Sequence, residues 1–596
     1  MSGGNLMDPE IEKQLRQLRN HIYIDETFKQ SLRKDFLKKR KKPIWKMPWV
    51  AVSAAAIVFL AILITSFQVE HTNASSLNVA NSISFFDVGE GEITAYSHYQ
   101  GNLYVSIKNK GIYLNSSGDF EKITTLTADS MNSSVNEEGL LLTNGGSIYI
   151  LHPTTKAAEE IKAGSYSHPA WKDSKTIFAE KNNTIVEIDL QTLKEKQVTE
   201  GTMPSYIKEE KKLVFARDGA IILRDRNGRE TKADDGTDPA VSAQGGYFSY
   251  VKEEEGVENV WIADTDLKTR KKATANFVNA VERTKGIYQY SLPVWHSAAN
   301  SLFVLKNNGQ ENSVKLMKIS LSDKELTASA TVERFLQALI VRDDDYAKSM
   351  MDNPPEFLTY SNPYQIGFEV LNAKIDGDLT NVTAKVYWTY TANPYYKISA
   401  YEFELVKKEH HYVIAKVTEK DAKELADLEN NGVIEMIKSD QKEKLFSIDD
   451  VPKEWLGREN NRISSLVMDP DGEKIIFSLQ EMTERPNLSG VTFIEYDLSA
   501  KTFKKLIRLD PENSRNDIVI RHLSIDPSGQ YIAADLFSGE QPEVVIFDIK
   551  QVKQVANMHG AASVFWQGEQ LIIEKWHENQ STLYRFNPQT GEKKYF

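Results

Sequence analysis

The chain contains no cysteine, which rules out disulfide scaffolds, thiolate zinc sites and cysteine nucleophiles. G-x-S-x-G is missing, so there is no nucleophile elbow of the α/β-hydrolase kind. H-E-x-x-H and the phosphate-cradling glycine motifs are missing too, and Gly89-Glu90-Gly91 and Gly145-Gly146 read as turn glycines. Acidic residues outnumber basic ones over most of the chain. The formal net charge is −12; residues 1–48 hold 12 Lys/Arg against 6 Asp/Glu, which leaves about −18 for the remainder. Phosphate binding needs a basic surface, so nucleic acid is not an expected partner.

What is present first is one long hydrophobic run, Val50 to Phe67, VAVSAAAIVFLAILITSF. It has no charge, Gly or Pro, and eighteen residues approach the length that crosses a bilayer. Its ten Val, Ile, Leu and Phe residues sum to about −3 to −6 kcal/mol of insertion free energy. With Trp49 at its lip, residues 49–67 are predicted to be a single transmembrane helix in contact with the lipid bilayer. Nine Lys/Arg lie between Lys29 and Lys46, and none occurs from Gln68 to Ile107. Positive charge stays on the cytoplasmic side, so the N-terminus is expected inside and the large C-terminal region extracytoplasmic. No clear small-x-small site follows Phe67, which favours an uncleaved signal anchor over a signal peptide. Residues 1–48 read as a cytoplasmic basic tail of two amphipathic helices, with Ile11, Leu15, Leu18 and Ile22 on one face and Phe28, Leu32 and Phe36 on another.

From about Ser82 the texture turns to short apolar strands broken by Gly, Asn, Asp and Ser, a mainly β pattern. One unit recurs: an apolar strand, a turn with Asp or Asn, then a polar strand. It is clear as VEIDLQTLKEKQVT at Val186, WIADTDLKTRKKAT at Trp261, FIEYDLSAKTFKKL at Phe493 and VVIFDIKQVKQVA at Val544. Marking the turns gives Asn115, His152, Asp189, Asp225, Asp266, Ser320, Asp497, Asp548 and Asn587, at steps of about 36–54 residues with one gap of 177. A period near 40 in a β-rich chain marks propeller blades. Asp469-Pro-Asp-Gly472, Asp526-Pro-Ser-Gly529, Pro169-Ala-Trp171 and Pro293-Val-Trp295 are further repeated signals.

These turns resemble those of the TolB-like and WD-like propeller families, whose blades carry a D-P-D-G turn followed by a strand with Phe or Trp. The resemblance implies an extracytoplasmic β-propeller, expected as one ring of about 7–8 blades, with blades in 82–326 and 456–596. The long gap holds an α+β insertion at 327–420. Its segments VERFLQALIVRDDDYAKSMM and YEFELVKKEHHYVIAKV resemble the nuclear-transport-factor-like cone fold of bacterial exported proteins. Residues 421–455 read as a helical return linker. In a cone-shaped sheet, Tyr387, Trp388, Tyr390, Tyr396 and Tyr401 are the expected cavity-lining residues, against a plain reading as core and cross-strand packing.

No catalytic, cofactor-binding or metal-binding residue is assigned, and no cofactor is expected. His410-His411 reads as a hairpin, Asp343-Asp344-Asp345 as a solvated helix-end turn, and Asp469 with Asp471 as an incomplete calcium pattern. The leading expectation is a non-catalytic binding platform of the bacterial plasma membrane, taking a protein, peptide or cell-envelope ligand on the propeller face. The alternative is a transmembrane signalling protein whose tail binds a cytoplasmic partner, since LRNHIYIDETFKQSLRKDFLKKRKK looks somewhat like juxtamembrane segments of bacterial anti-sigma proteins. An enzyme seated in the cone domain is the third reading.

Overall fold

The computed structural model describes Ala74 and residues 77–596, apart from short segments at 89–90, 116–119, 134–138, 279–284, 299, 310–312, 360–361, 392, 409–410, 439–440, 457–460, 482–489, 511–517 and 578–579. The expected tail and transmembrane segment, 1–48 and 49–67, lie outside the described residues. Among the described residues no helix is long and apolar enough to cross a membrane.

Six four-stranded antiparallel sheets come first. Their innermost strands are Ile93–Tyr99, Ser130–Ser133, Tyr166–Asp173, Thr202–Ile207, Thr237–Val241 and Tyr288–Trp295, each packed on the next, with the sixth returning to the first. In each of the first five sheets the outermost strand is the most exposed. In the third, Thr176–Lys181 buries Ile177, Phe178 and Ala179, while the outermost strand Glu195–Glu200 is mostly exposed. Inner strands sandwiched between neighbouring sheets therefore read as short apolar runs, and outer strands as polar ones. The arrangement is a closed β-propeller.

The sixth sheet is closed by the first described strand. Its own hairpins supply Tyr288–Trp295, Ser301–Asn308 and Ser313–Ser322, and the fourth strand is Asn78–Asp87, paired from Asn78↔Ser322 to Asp87↔Lys315 with two register shifts between. This corrects the expected single interrupted ring of 7–8 blades: the ring has six and is complete before residue 323. The nine marked turns do fall in nine four-stranded sheets, six before the interruption and three after it. The Ser320 unit lacks its own polar strand because Asn78–Asp87 takes that place.

Helices α1 (Ala328–Ile340) and α2 (Asp344–Lys348) follow. Thr327 caps α1 by accepting the Ala330 amide at 3.1 Å. Val332, Phe335 and Leu336 of α1 bury against Val382, Val386 and Phe403 of a long antiparallel sheet. Its strands are Tyr364–Asp376, Leu379–Tyr390, Asn393–Lys408, His411–Ala426, Val433–Lys438 and Gln441–Ser447. The expected helical linker at 421–455 is thus mostly strand. Asn430-Asn431-Gly432, with Asn430 and Gly432 at positive φ, turns the chain where a helix would have run, and only short 3-10 turns at Ile448–Asp450 and Lys453–Trp455 are helical.

Three further four-stranded sheets complete the chain, with innermost strands Asn461–Met468, Ile518–Ile525 and Ala561–Gln567. They do not re-enter the ring. Asn461–Met468 packs on Asn393–Lys408, and Gly367 bridges Trp566, so the long sheet flanks the three on both sides. The parts are joined where Phe86 and Asp87 pair with Thr582 and Ser581.

Candidate functional site

The six inner strands of the ring surround a channel with a cavity of about 200 Å³. Four of them carry the same dipeptide, a residue followed by proline: His168-Pro169, Met203-Pro204, Asp238-Pro239 and Leu292-Pro293. The residue before each proline has a φ of 46, 52, 53 and 50° respectively. At each the ladder skips, between Ser167 and Ala170, Thr202 and Ser205, Thr237 and Ala240, and Ser291 and Val294. These are β-bulges. Proline suits the second place because it has no N–H for the broken ladder to strand. Positive φ in a non-glycine residue costs about 1–3 kcal/mol, so something must hold it.

Neighbouring sheets do so. The His168 amide donates to Ser130 Oγ at 3.0 Å, and the Met203 amide to Glu180 Oε2 at 3.1 Å. Just beyond the bulges, Trp171 N donates to Asn132 Oδ1 at 3.3 Å and Val241 N to Ser205 Oγ at 3.0 Å. Trp295 Nε1 reaches back to Ala240 O and Ser249 Oγ. Each bulge thus turns backbone toward the channel and ties its sheet to the one before.

The channel's ionisable groups differ in state. His98 accepts the Ser297 amide on Nδ1 at 3.1 Å, so its proton sits on Nε2. Burial pushes its pKa down to about 3, with His296 and Lys318 adding to the shift. Its ring lies 3.7 Å from that of His296, which burial and Lys318 hold at about 4. Both imidazoles are neutral at pH 7. His168 Nδ1 sits 2.9 Å from Glu180 Oε2. Burial acts to raise the Glu180 carboxyl, but the His168 ring and the Met203 amide outweigh it and hold it below the usual range. Asp238 goes the other way: burial raises it, and the Leu292 amide and His168 only partly oppose that. Lys172 is paired with Glu187 at 2.8 Å, and Asp129 accepts the Gly145 amide. A cavity lined by the neutral ring of His98, bulged backbone and the raised carboxyl of Asp238 is suited to holding a ligand by shape and hydrogen bonds. Among the described residues no group of three or more His, Cys, Asp or Glu is placed to hold a metal ion.

The aromatic residues expected in a cone cavity divide between two packed faces. Tyr387 and Tyr396 join the core shared with Leu466, Phe477 and their neighbours, while Trp388 and Tyr401 pack on the α1 side. Tyr390 stands edge-on to Tyr395 at 4.4 Å. Tyr387 and Tyr396 also border a small void beside Trp566 and Pro527. Asp343 and Asp345 are buried, not solvated. Asp343 caps α2 and meets Lys306 at 2.7 Å, and Asp345 accepts the Phe277 amide. Asp469 is a turn former whose Oδ1 accepts the Glu473 and Lys474 amides at 2.8 Å.

Sequence reasoning marks Pro169-Ala-Trp171 and Pro293-Val-Trp295 only as turn-like repeat signals and reads no bulge at any of the four sites; Met203-Pro204 and Asp238-Pro239 lack the tryptophan and carry no mark. It also missed a buried polar junction. There Tyr364 Oη lies 2.9 Å from His522 Nδ1, His522 Nε2 lies 3.2 Å from Ser563 Oγ, and Asp535 accepts the Ser563 amide at 2.9 Å. These residues come from the long sheet and two of the last three sheets.

No family model matches the chain, and no curated protein matches it. Several solved structures are similar. The tricorn protease is 9% identical with a TM-score of 0.30, over 86% of this chain and 58% of that one, so the chain spans little more than half its length. The extracellular domain of a putative hybrid two-component system from B. thetaiotaomicron is 8% identical, with a TM-score of 0.29, over 86% and 79%. An auxiliary nutrient binding protein from Bacteroides thetaiotaomicron is 11% identical, with a TM-score of 0.31, over 41% and 76%. Likenesses of this size carry no argument about activity or partner, and the propeller rests on the chain's own strand pairing.

Proposed function

We propose that this chain is a non-catalytic binding platform, anchored in the bacterial plasma membrane by residues 49–67, with its propeller outside and residues 1–48 in the cytoplasm. The propeller is of the TolB-like kind, and 327–420 belongs to an α+β unit of the cone-fold kind. The ligand is a protein, peptide or cell-envelope fragment held at the ring's channel. The observation that carries this reading is the fourfold X-Pro bulge, which turns backbone and side chains of consecutive sheets toward one cavity.

The test uses the full-length chain in bilayer discs. It is offered a phage-displayed peptide library and, separately, muropeptides from digested peptidoglycan. Enrichment of one class that falls at least about tenfold with Asp238→Asn or Trp171→Ala supports the reading, since a tenfold loss is about 1.4 kcal/mol, the scale of one good contact. Equal capture by these variants removes the channel as the site. Turnover of a bound molecule that the same substitutions abolish would overturn the non-catalytic claim. Anchoring is tested apart from binding. An N-terminal tag on intact cells should resist added protease while a tag after Phe596 is cut.

A further inference from the structure

The strand Tyr364–Asp376 pairs along one edge with Leu379–Tyr390 over its whole length. Along its other edge it makes one bridge, Gly367 to Trp566, and among the described residues no strand pairs beyond that point. Leu371 through Asp376 are all exposed. A free edge of this kind presents a row of N–H and C=O groups that accepts a further strand.

The side chains of this edge are sorted by face. Ala373 lies opposite Val382, which is fully buried in the core beneath α1, so Ala373 and Ile375 stand on that face. The ladder slips between Val370 and Asn372, which leaves Leu371 as the bulged residue. Leu371 is 45% exposed and Ile375 76% exposed, the latter the most exposed large apolar side chain among the described residues. Lys374 and Asp376 take the opposite face.

We propose that this edge is a self-association surface, joined antiparallel to the same edge of a second copy about a two-fold axis at Ala373. The sequence of the edge argues for a second copy as occupant. A two-fold pair of antiparallel strands keeps both copies' side chains on matching faces only when it is centred on a residue, because the side-chain period is two. Centred on Ala373, Leu371 meets Ile375 twice, Asn372 meets Lys374 twice, and no like charges oppose. Centred on Lys374, two ammonium groups would face each other directly, which is destabilising. Centred on Asn372, Ile375 would face Glu369 and Val370 would face Lys374. Centred on Ile375, the pairing would run out at Gly377 in the hairpin turn. Lys374, which would discourage promiscuous edge pairing, is accommodated in the Ala373 register opposite an amide.

The absence of native cysteine makes the register directly readable. Opposed Cα atoms in an antiparallel pair lie about 4.5–5.5 Å apart, within disulfide reach. In the proposed register the two copies of residue 374 are offset by two residues and lie about 8 Å apart, beyond that reach. Full-length chain carrying Ala373→Cys, mildly oxidised, should give at least about tenfold more disulfide-linked dimer than chain carrying Lys374→Cys. Adding Ile375→Asp to Ala373→Cys should remove most of that dimer, and the unsubstituted chain should show concentration-dependent dimer by sedimentation. Equal cross-linking of the two cysteine variants overturns the proposal. So does a monomer at all concentrations, which would leave the edge to an extended segment of another protein.

Discussion

Asp535 is fully buried, yet its partners are modest: the Ser563 amide at 2.9 Å and an Arg521 guanidinium at 3.3 Å. Burial outweighs both and pushes the carboxyl from 3.8 up to about 6. A raised acid stabilises the fold fully below its unfolded value and loses that contribution as pH rises through the folded one. His522 beside it runs opposite. Burial, with Arg521 adding, pushes its pKa from 6.5 down to about 3, so its contribution is present above 6.5 and lost as pH falls toward 3. The two partly cancel in the unsubstituted chain, and Asp535→Asn separates them. Relative to the unsubstituted chain, that variant should gain about 2 kcal/mol of unfolding free energy between pH 4.5 and pH 7, read from urea midpoints at each pH. A difference that does not change with pH would show that Asp535 does not titrate in this range. Nothing in the sequence signals the junction. Tyr364 and Ser563 are 199 positions apart in the chain, and neither sits in a recognisable motif.

The bulged inner strands place a testable demand on single elements. Met203 holds φ 52° with its amide committed to Glu180. Glycine adopts that conformation without strain, whereas a β-branched side chain resists it. Met203→Val should therefore lower stability by about 1–2 kcal/mol, and Met203→Gly should be neutral or slightly stabilising, by thermal or urea unfolding. Equal losses would mean that the methionine side chain, not its backbone, matters there. The clip between α2 and the sixth sheet makes a second demand. Lys306 and Asp343 are both buried, at 2.7 Å, with the Lys306 ammonium 3.8 Å from the centre of the Tyr288 ring. Lys306→Met leaves an unpaired buried carboxylate and should cost about 3–5 kcal/mol, much of it recovered when Asp343→Asn is added. Elements of this kind are unevenly legible. Asp469-Pro-Asp-Gly472 announces its turn because aspartate and glycine each have a local job there. Asp343-Asp344-Asp345 announces only a helix end, since the buried lysine that meets it is supplied from another sheet. Residues 421–455 read as a helical return, and the Asn-Asn-Gly turn that decides against it occupies only three positions.

At the scale of the molecule, each marked turn falls in a four-stranded sheet of its own, but the repeat does not show how the sheets divide or close, and it reads as one ring of about 7–8 blades. The turns recur with a period the eye can follow, whereas closure depends on which distant strand completes the sixth sheet. Asn78–Asp87 pairs with residues more than 200 positions away, and any apolar strand of that length would satisfy the same local pattern. That one strand also reaches the final sheet, through Phe86 to Thr582 and Asp87 to Ser581. It therefore couples the six-sheet ring to the C-terminal sheets, and the coupling is measurable. Ile83 is buried and lies opposite Lys318, in the middle of the strand's register. Ile83→Pro removes a ladder donor and a buried side chain together. If the strand unites the molecule, native-state hydrogen exchange should lose protection both in the ring's sixth sheet, around Val304 and Met317, and in the last sheet, around Ile573 and Tyr584. Loss confined to the ring would show that the C-terminal sheets stand on the long sheet alone, with the two bridges to Asn78–Asp87 incidental to their stability.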